Sequence, residues 1–138
     1  MSEIRKDRPR ADANRCFVCG PDNEHGLQLT FSLEDDCCVA EFTPADHMIG
    51  YDDQVHGGIL FSFLDDAMAN YLFLKGRRAH TAKCEIRYRA AVKPGTTLRA
   101  EARPVKEKGR LITLEAKAID TSDGSVVVEA LGSFMIST

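Results

Sequence analysis

Apolar and polar residues alternate along most of the chain, and one long apolar stretch interrupts the alternation. Residues 27–33 alternate strictly, as a half-buried strand does, and a second strand is predicted at about residues 37–42. Between residues 57 and 74 almost every side chain is apolar or small, which predicts one long buried helix. The first half of the chain therefore reads as two strands followed by a helix.

Four more strands are predicted after this helix, in about residues 82–90, 98–102, 112–118 and 125–136. Turns are predicted between them at Pro94-Gly95, at residues 106–109 and at Asp123-Gly124, the last being a strong hairpin signal. In the strand after the helix, Ala82, Cys84, Ile86, Tyr88 and Ala90 share one face, opposite a charged face. A single apolar helix among strands in the order β-β-α-β-β-β-β needs a sheet to bury it. The predicted class is therefore α+β.

Length and charge limit the kinds of function to consider. A chain of 138 residues fits one domain, and its net charge of -3 gives no basic footprint for nucleic acid. The apolar run at residues 59–74 is shorter than the roughly 20 residues that span a bilayer, so no membrane contact is expected. No signal peptide opens the sequence, which predicts a cytoplasmic location. Residues 1–15 are predicted to form a flexible N-terminal tail, and residues 16–138 the domain.

The five cysteines are interpreted as reduced thiols, because their number is odd and no secretory signal precedes them. Cys16 and Cys19 form a C-x-x-C pair. A closed zinc site needs four ligands, and no second pair of this kind is present, although Cys37, Cys38 and His25 are possible contributors. The sequence favours a turn that leads into the first strand, and no metal is expected.

The strongest candidate chemistry lies at the start of the helix. His56-Gly57-Gly58 precedes two carboxylates, Asp65 and Asp66, in an otherwise apolar stretch. Burial raises the pKa of a carboxyl group toward the range that suits a general base near neutral pH. A helix start also offers free backbone N–H groups and a positive dipole end, and glycines let a substrate oxygen approach them.

Three segments carry a family resemblance. A His-Gly-Gly motif with an acid nine residues after the His, preceded by Cys16-Phe17-Val18-Cys19-Gly20 and His25-Gly26-Leu27-Gln28-Leu29, resembles the hotdog-fold thioesterases of the phenylacetate-degradation (PaaI-like) type. The resemblance runs from about residue 16 to residue 134. It implies a curved antiparallel sheet wrapped around one long central helix. It also implies hydrolysis of acyl-CoA thioesters with no cofactor other than the coenzyme A of the substrate.

Helix geometry separates the two main candidate groups. Gly57 and Asp65 are eight residues apart, which places them about 12 Å apart along the axis at 1.5 Å per residue. Both groups must lie within about 3 Å of one reacting centre, so they cannot easily serve the same substrate. A homodimer with antiparallel helices would place the helix start of one chain near Asp65 of the other. The resemblance also implies such dimers, often paired again into homotetramers.

The proposed catalytic groups are then Asp65, as general base or nucleophile, and the backbone N–H of Gly57, as oxyanion donor. The resemblance implies that His56 lies near the site and that Thr81 holds the nucleophilic water. Structural alternatives exist: Gly57 and Gly58 could serve helix packing alone, His56 could bind a backbone carbonyl, and Asp65 could be a surface acid. Asp66 is the rival base, since it points about 100° away on the helix.

Predicted substrate contacts come from the glycines and from the loop before them. Relatives carry Asn or Gln six residues before the motif histidine, where this chain has Gly50, so Gln54 or His47 is the candidate replacement. The predicted substrate-binding residues are Gly58, Gln54, Asp66 and Phe61. Medium-chain or aromatic acyl groups are the expected substrates. The alternatives are a non-catalytic acyl-CoA binding module and an enoyl-CoA hydratase or dehydratase.

Overall fold

Six strands and one helix form the described part of the chain, in the order predicted from the pattern of apolar residues. The structure is a computed structural model, and it describes residues 8–137. The elements are β1 (Ser32–Glu34), β2 (Cys37–Phe42), α1 (Gly57–Phe73), β3 (Ala79–Tyr88), β4 (Leu98–Lys108), β5 (Leu111–Asp120) and β6 (Val126–Ile136). No helix within residues 8–137 is long and apolar enough to cross a bilayer.

All six strands pair antiparallel in one sheet of order β1-β2-β4-β5-β6-β3, and α1 packs on one face of it. The sheet curves around the helix, which confirms the α+β class and the hotdog arrangement. β3 follows the helix in sequence but lies at the edge of the sheet, beside β6. One side of β3 therefore has no strand partner among the described residues.

The core lies between α1 and the concave face of the sheet. Phe63 of the helix is fully buried, and its ring lies 5.2 Å from that of Phe42. The facing positions of β4 and β5 are mostly alanine, which brings the sheet close to the helix. These buried small positions are Ala100, Ala102, Ala116 and Ala118. The alternation predicted for both strands is confirmed.

The strand predicted at residues 27–33 is mostly absent, since only Ser32–Glu34 enter the sheet. The backbone of this segment pairs elsewhere: Leu27 N–H donates to Phe17 C=O at 2.8 Å, and Leu29 N–H donates to Val18 C=O at 2.9 Å. Gln28 between them has a φ of 51°, which strand backbone does not adopt. The alternation predicted the burial of the apolar positions as far as Phe31, whereas Leu33 is exposed. The backbone hydrogen bonds of Leu27 and Leu29 run to the C-x-x-C turn rather than to a sheet neighbour.

Two turns differ in position from the prediction. β4 continues to Lys108, so the turn expected at residues 106–109 shortens to Gly109 and Arg110, where Gly109 has a φ of 60°. β3 begins at Ala79, three residues before the predicted run, and ends at Tyr88. The residues that extend β4 beyond its predicted end are mostly charged, and most of them are exposed to solvent.

The described part of the N-terminal segment lies against the domain. The Arg8 guanidinium donates to the carbonyls of Cys19 and Ala13 at 3.1 and 3.0 Å, and Asn14 is buried. The Arg8 side chain also stacks over the Phe73 ring at 4.7 Å. The predicted tail at residues 1–15 begins outside the described residues, and the domain boundary at residue 16 stays a prediction.

Candidate active site

The helix start is organised by its capping residue. His56 is the N-cap of α1, and its Nδ1 accepts a hydrogen bond from Gly58 N–H at 2.8 Å. The His56 backbone carbonyl accepts hydrogen bonds from the N–H groups of Ile59 and Leu60. The imidazole therefore binds a backbone N–H group, and not the carbonyl considered from the sequence. With Nδ1 as acceptor, the neutral ring carries its proton on Nε2.

This cap leaves one amide of the first turn free. Gly58 N–H is taken by His56, whereas no described residue accepts a hydrogen bond from Gly57 N–H. The first amide of a helix has no carbonyl one turn earlier to bond with. Gly57 N–H is therefore the donor that a substrate oxygen could reach. Gly58 has no free N–H donor, but its lack of a side chain lets a substrate come close to the helix start.

Tyr88 is a neighbour of the helix start to which the sequence assigned no role. Its hydroxyl donates to Gly57 C=O at 2.7 Å, and its ring lies within 3.4 Å of where a Gly57 side chain would begin. This contact ties the end of β3 to the first helical residue. The apolar face predicted for β3 includes Tyr88, so the alternation of the sequence already indicated that this side chain turns toward the helix.

Asp65 and Thr81 are brought together as a pair. Thr81 Oγ1 donates to Asp65 Oδ1 at 2.7 Å. Burial raises the pKa of Asp65 above its usual value, and the Thr81 hydrogen bond lowers it in part. Because Thr81 occupies Oδ1, the other carboxylate oxygen is the one available to a water or a substrate.

An irregularity in β3 makes this pair possible. Strict alternation would put Thr81 and Cys84 on opposite faces, but the register with β6 shifts between Thr81 and Lys83. Such a bulge re-aims the side chains beside it. Thr81 thus shares the helix-facing side with Cys84, whose thiol pKa is raised by burial and then by the Asp65 charge. The prediction that Ala82 begins the inward face is therefore wrong at that residue.

Asp66 has different neighbours from Asp65. Its Oδ1 lies 3.6 Å from Cys16 Sγ, and Asn70 Nδ2 donates to its Oδ2 at 2.8 Å. Burial raises the pKa of Asp66 to about 7, and the negative Cys16 thiolate adds to the effect. Cys19 donates to the Cys16 sulfur, and this lowers the Cys16 pKa to about 5. Asp66 therefore faces the C-x-x-C turn, while Asp65 faces β3.

A cleft of about 780 Å³ opens beside the helix start. Its walls come from the N-terminal segment, the loop before the helix and the first helical turn; they include Phe17, His25, Leu27, His47, Met48, His56, Gly58 and Ile59. Gln54 lies on another side of the helix start, where it lines a groove with Gly57 and Tyr88. Phe61 is half-buried and lines neither of these two depressions.

Gly50, where the resemblance implies an Asn or Gln, lies close to His56. Gly50 N–H donates to Gln54 C=O at 3.0 Å, and a side chain at Gly50 would begin 3.7 Å from the His56 ring. A polar residue there would therefore lie beside the cap. His47 and Gln54 lie in different depressions, so each could reach a ligand from its own side only.

Within one chain, the candidate groups form two separate sets. Gly57, His56 and Tyr88 meet at the helix start, whereas Asp65 and Thr81 meet two turns further along α1. Eight residues of helix keep the sets about 12 Å apart along the axis. The single chain therefore presents an oxyanion donor and a carboxylate that do not face the same space.

Comparison with known proteins identifies the family. A sequence model of the thioesterase superfamily matches residues 54–127, which is more than half of the chain. The chain therefore belongs to the thioesterase superfamily. The comparison with curated proteins gives no match.

Solved structures confirm the hotdog fold. A thioesterase superfamily protein has a TM-score of 0.77 at 25% identity; the match covers 86% of this chain but 61% of that one, less than two thirds of its length. The E. coli PaaI protein from the phenylacetic acid degradation operon has a TM-score of 0.75 at 22% identity, with 81% of each chain covered. These matches confirm the resemblance to the PaaI-like type.

A hypothetical thioesterase from Streptococcus pneumoniae TIGR4 was solved with coenzyme A. It has a TM-score of 0.73 at 18% identity, and the match covers 79% of this chain and 85% of that one. The same protein was also solved with one aspartate, and separately one threonine, replaced by alanine.

Proposed function

We propose that this chain hydrolyses acyl-CoA thioesters, using Asp65 as general base or nucleophile and Gly57 N–H as oxyanion donor. The observation that carries the proposal is the Thr81–Asp65 hydrogen bond of 2.7 Å, formed across a bulge that re-aims Thr81 toward the helix. A buried carboxylate with one oxygen held and the other free is suited to accept a proton or attack a carbonyl.

The replaced residues of the S. pneumoniae thioesterase support the same pair. The aspartate and the threonine changed in those structures lie sixteen residues apart, the same separation as between Asp65 and Thr81. The coenzyme A bound to that protein is the ligand class proposed for this chain.

The complete site is proposed to form across a homodimer. β3 is an edge strand of ten residues, and its unpaired backbone groups can bond to a second copy of the same strand. Antiparallel pairing about a two-fold axis would continue the sheet and bring each helix start toward the other chain's Asp65. Each dimer would then hold two equivalent sites. Pairing of dimers into a tetramer remains part of the proposal.

Hydrolysis would proceed at the thioester carbonyl. Its oxygen accepts from Gly57 N–H, and one such donor contributes roughly 10²–10³ to the rate. In the general-base route, the free Asp65 oxygen takes a proton from water, and the hydroxide adds to the carbonyl carbon. The tetrahedral intermediate then expels the CoA thiolate, which receives the proton. In the nucleophilic route, Asp65 adds to the carbonyl carbon and the C–S bond breaks, so that CoA leaves as the thiolate and a mixed anhydride remains. Water then hydrolyses the anhydride, which frees the acid and restores Asp65, and the CoA thiolate takes up a proton.

The decisive experiment is steady-state hydrolysis of a panel of aromatic and short- to long-chain acyl-CoAs. Thioester absorbance avoids a thiol dye, which would react with the chain's five cysteines. Asp65→Asn keeps the shape of the side chain but removes its basicity, so kcat should fall by about 10²–10⁴. Binding of a non-hydrolysable acyl-CoA analogue should persist.

Two further variants make the result specific. Glu115→Gln changes an exposed carboxylate on β5 and should leave kcat unchanged. Asp66→Asn tests the rival acid: if it abolishes turnover while Asp65→Asn does not, the assignment of the base is wrong. If acyl-CoA binds but no thioester is cleaved by the unmodified chain, the protein is a binding module. Hydration of an enoyl-CoA would favour the hydratase alternative.

A further inference from the structure

The C-x-x-C pair is held in a tight turn whose shape depends on the next residue. Gly20 N–H donates to Cys16 C=O at 2.8 Å, and this bond closes the turn. A side chain at Gly20 would collide with the Cys16 backbone nitrogen. The turn therefore needs glycine at this position, and it places the Cys16 and Cys19 sulfurs side by side.

The fold adds a third ligand-type atom from a distant part of the chain. Cys16 Sγ, Cys19 Sγ and one Asp66 carboxylate oxygen all lie within 4.8 Å of one another. Asp66 comes from the middle of α1, fifty residues after Cys16. The sequence suggested Cys37, Cys38 or His25 as further ligands, and the structure instead brings Asp66 to the pair.

One of the three distances between these atoms is that of a tetrahedral zinc centre, and the other two are at most 4.8 Å. Zn–S bonds of about 2.3 Å and Zn–O bonds of about 2.0 Å, at a tetrahedral angle, separate sulfur from oxygen by about 3.5 Å and sulfur from sulfur by about 3.8 Å. The Cys16 Sγ to Asp66 Oδ1 distance is 3.6 Å. The three atoms are therefore close enough to share one zinc ion.

Neighbouring groups orient and balance the three ligands. Asn70 is buried, and its Nδ2 holds Asp66 Oδ2 at 2.8 Å, so Oδ1 is the oxygen that faces the sulfurs. The Arg8 guanidinium nitrogen Nη2 lies 3.9 Å from Cys19 Sγ. Two thiolates and a carboxylate carry three negative charges, which a divalent ion and one guanidinium would neutralise. Outer hydrogen bonds of this kind are usual around protein metal ligands.

We propose that Cys16, Cys19 and Asp66 bind a zinc ion that fastens the N-terminal turn to the central helix. Thiolates with a carboxylate favour zinc over calcium or magnesium. Three protein ligands leave one tetrahedral position for water or an exogenous ligand. The site is separate from the proposed hydrolytic pair, because Asp65 and Thr81 lie on the β3 side of α1.

Zinc binding can be measured directly on the full chain. The protein is stripped with a chelator under reducing conditions, and Zn²⁺ affinity is then measured by competition with a chromophoric chelator. We expect one zinc ion per chain. Substitution with Co²⁺ should give the intense near-ultraviolet band of cobalt–thiolate bonds and the visible bands of a tetrahedral ion.

Variants test each ligand. Cys16→Ser and Asp66→Asn should each lower the Zn²⁺ affinity by at least the roughly 10–100-fold seen for loss of outer-shell groups, and Asn70→Ala by about that amount. Cys37→Ser removes a half-buried thiol outside the cluster and should bind zinc like the unmodified chain. Circular dichroism of each apo-variant verifies that the fold persists.

Three results would overturn the proposal. The first is the absence of stoichiometric zinc after reduction. The second is equal affinity in the unmodified chain and Cys16→Ser, which would indicate adventitious binding elsewhere. The third is a cobalt spectrum without thiolate bands.

Discussion

At the scale of single residues, adjacent acids on one helix acquire different environments. Asp65 and Asp66 are both partly buried, and both have raised pKa values. Asp65 accepts a hydrogen bond from Thr81, whereas Asp66 lies between Cys16 and Asn70. The 100° rotation per residue of an α-helix is sufficient to separate them. Their neighbours, rather than their residue type, therefore suggest a hydrolytic role for one and a metal-binding role for the other.

Thr81 provides a test of the hydrolytic pair at this scale. A hydrogen bond to a charged group is worth about 1.5–3 kcal/mol, so Thr81→Ala should lower kcat by roughly 10–100-fold. Thr81→Ser retains the hydroxyl and should remain close to the unmodified chain. Since the hydrogen bond from Thr81 lowers the Asp65 pKa, its loss should raise that pKa. The acidic limb of the pH–rate profile should then move to higher pH. An unshifted limb in Thr81→Ala, or inactivity of both variants, would argue against this role.

At the scale of elements, close packing between α1 and β6 depends on a position without a side chain. Gly132 lies in β6 over the helix, and a side chain there would begin 3.1 Å from the end of Met68 and 2.9 Å from the Phe134 ring. Both neighbours are fully buried. The helix and the strand approach each other because this residue is glycine.

Gly132→Ala should therefore destabilise the fold. Overpacking of a filled core typically costs about 1–3 kcal/mol, and urea unfolding followed by circular dichroism would measure the change in free energy. Gly50→Ala is the matched control, because its added side chain meets the nearest atom at 3.7 Å and should change stability by less than about 0.5 kcal/mol. Equal stability of the two variants would show that the core adapts at no cost.

At the scale of the whole molecule, one chain separates the two groups that the proposed hydrolysis would need together. Gly57 N–H and Asp65 lie about 12 Å apart along one helix, which is continuous from Gly57 to Phe73. The edge position of β3 offers a route to a second copy. The dimer is thus proposed as a condition for activity rather than as an addition to it.

Complementation between two inactive variants tests this condition. Gly57→Pro removes the N–H donor at the first helical position, where proline is well tolerated, and His56 already has the extended φ and ψ of -59° and 132° that precede proline. Its kcat should fall by about 10²–10³. Asp65→Asn should be inactive as well.

Co-expressed chains of the two kinds should regain activity, because each mixed dimer contains one site with an intact Gly57 and an intact Asp65. With random pairing, half of the dimers are mixed. In each mixed dimer one site is intact and the other carries both substitutions, so about a quarter of the full activity should return. Activity no higher than the sum of the separate variants would exclude a shared site. Equal thermal stability of both variants checks that pairing itself is unaffected.

The sequence by itself determined the order of elements, the alternation of β4 and β5, the buried helix and the motif at its start. These features depend on local periodicity and on short spacings, which the chain carries wherever it folds. The same reasoning identified Asp65 and Thr81 as candidates, although only through resemblance for Thr81. Their role in catalysis stays a prediction.

Only the tertiary structure decided which distant groups meet. A bulge between Thr81 and Lys83 turned Thr81 toward Asp65, and the backbone of residues 27–29 paired with the C-x-x-C turn instead of a strand. The same packing delivered Asp66 to Cys16 across fifty residues. Periodicity specifies which face of an element is buried, but the partner across that face depends on register shifts and chain crossings that no local pattern encodes.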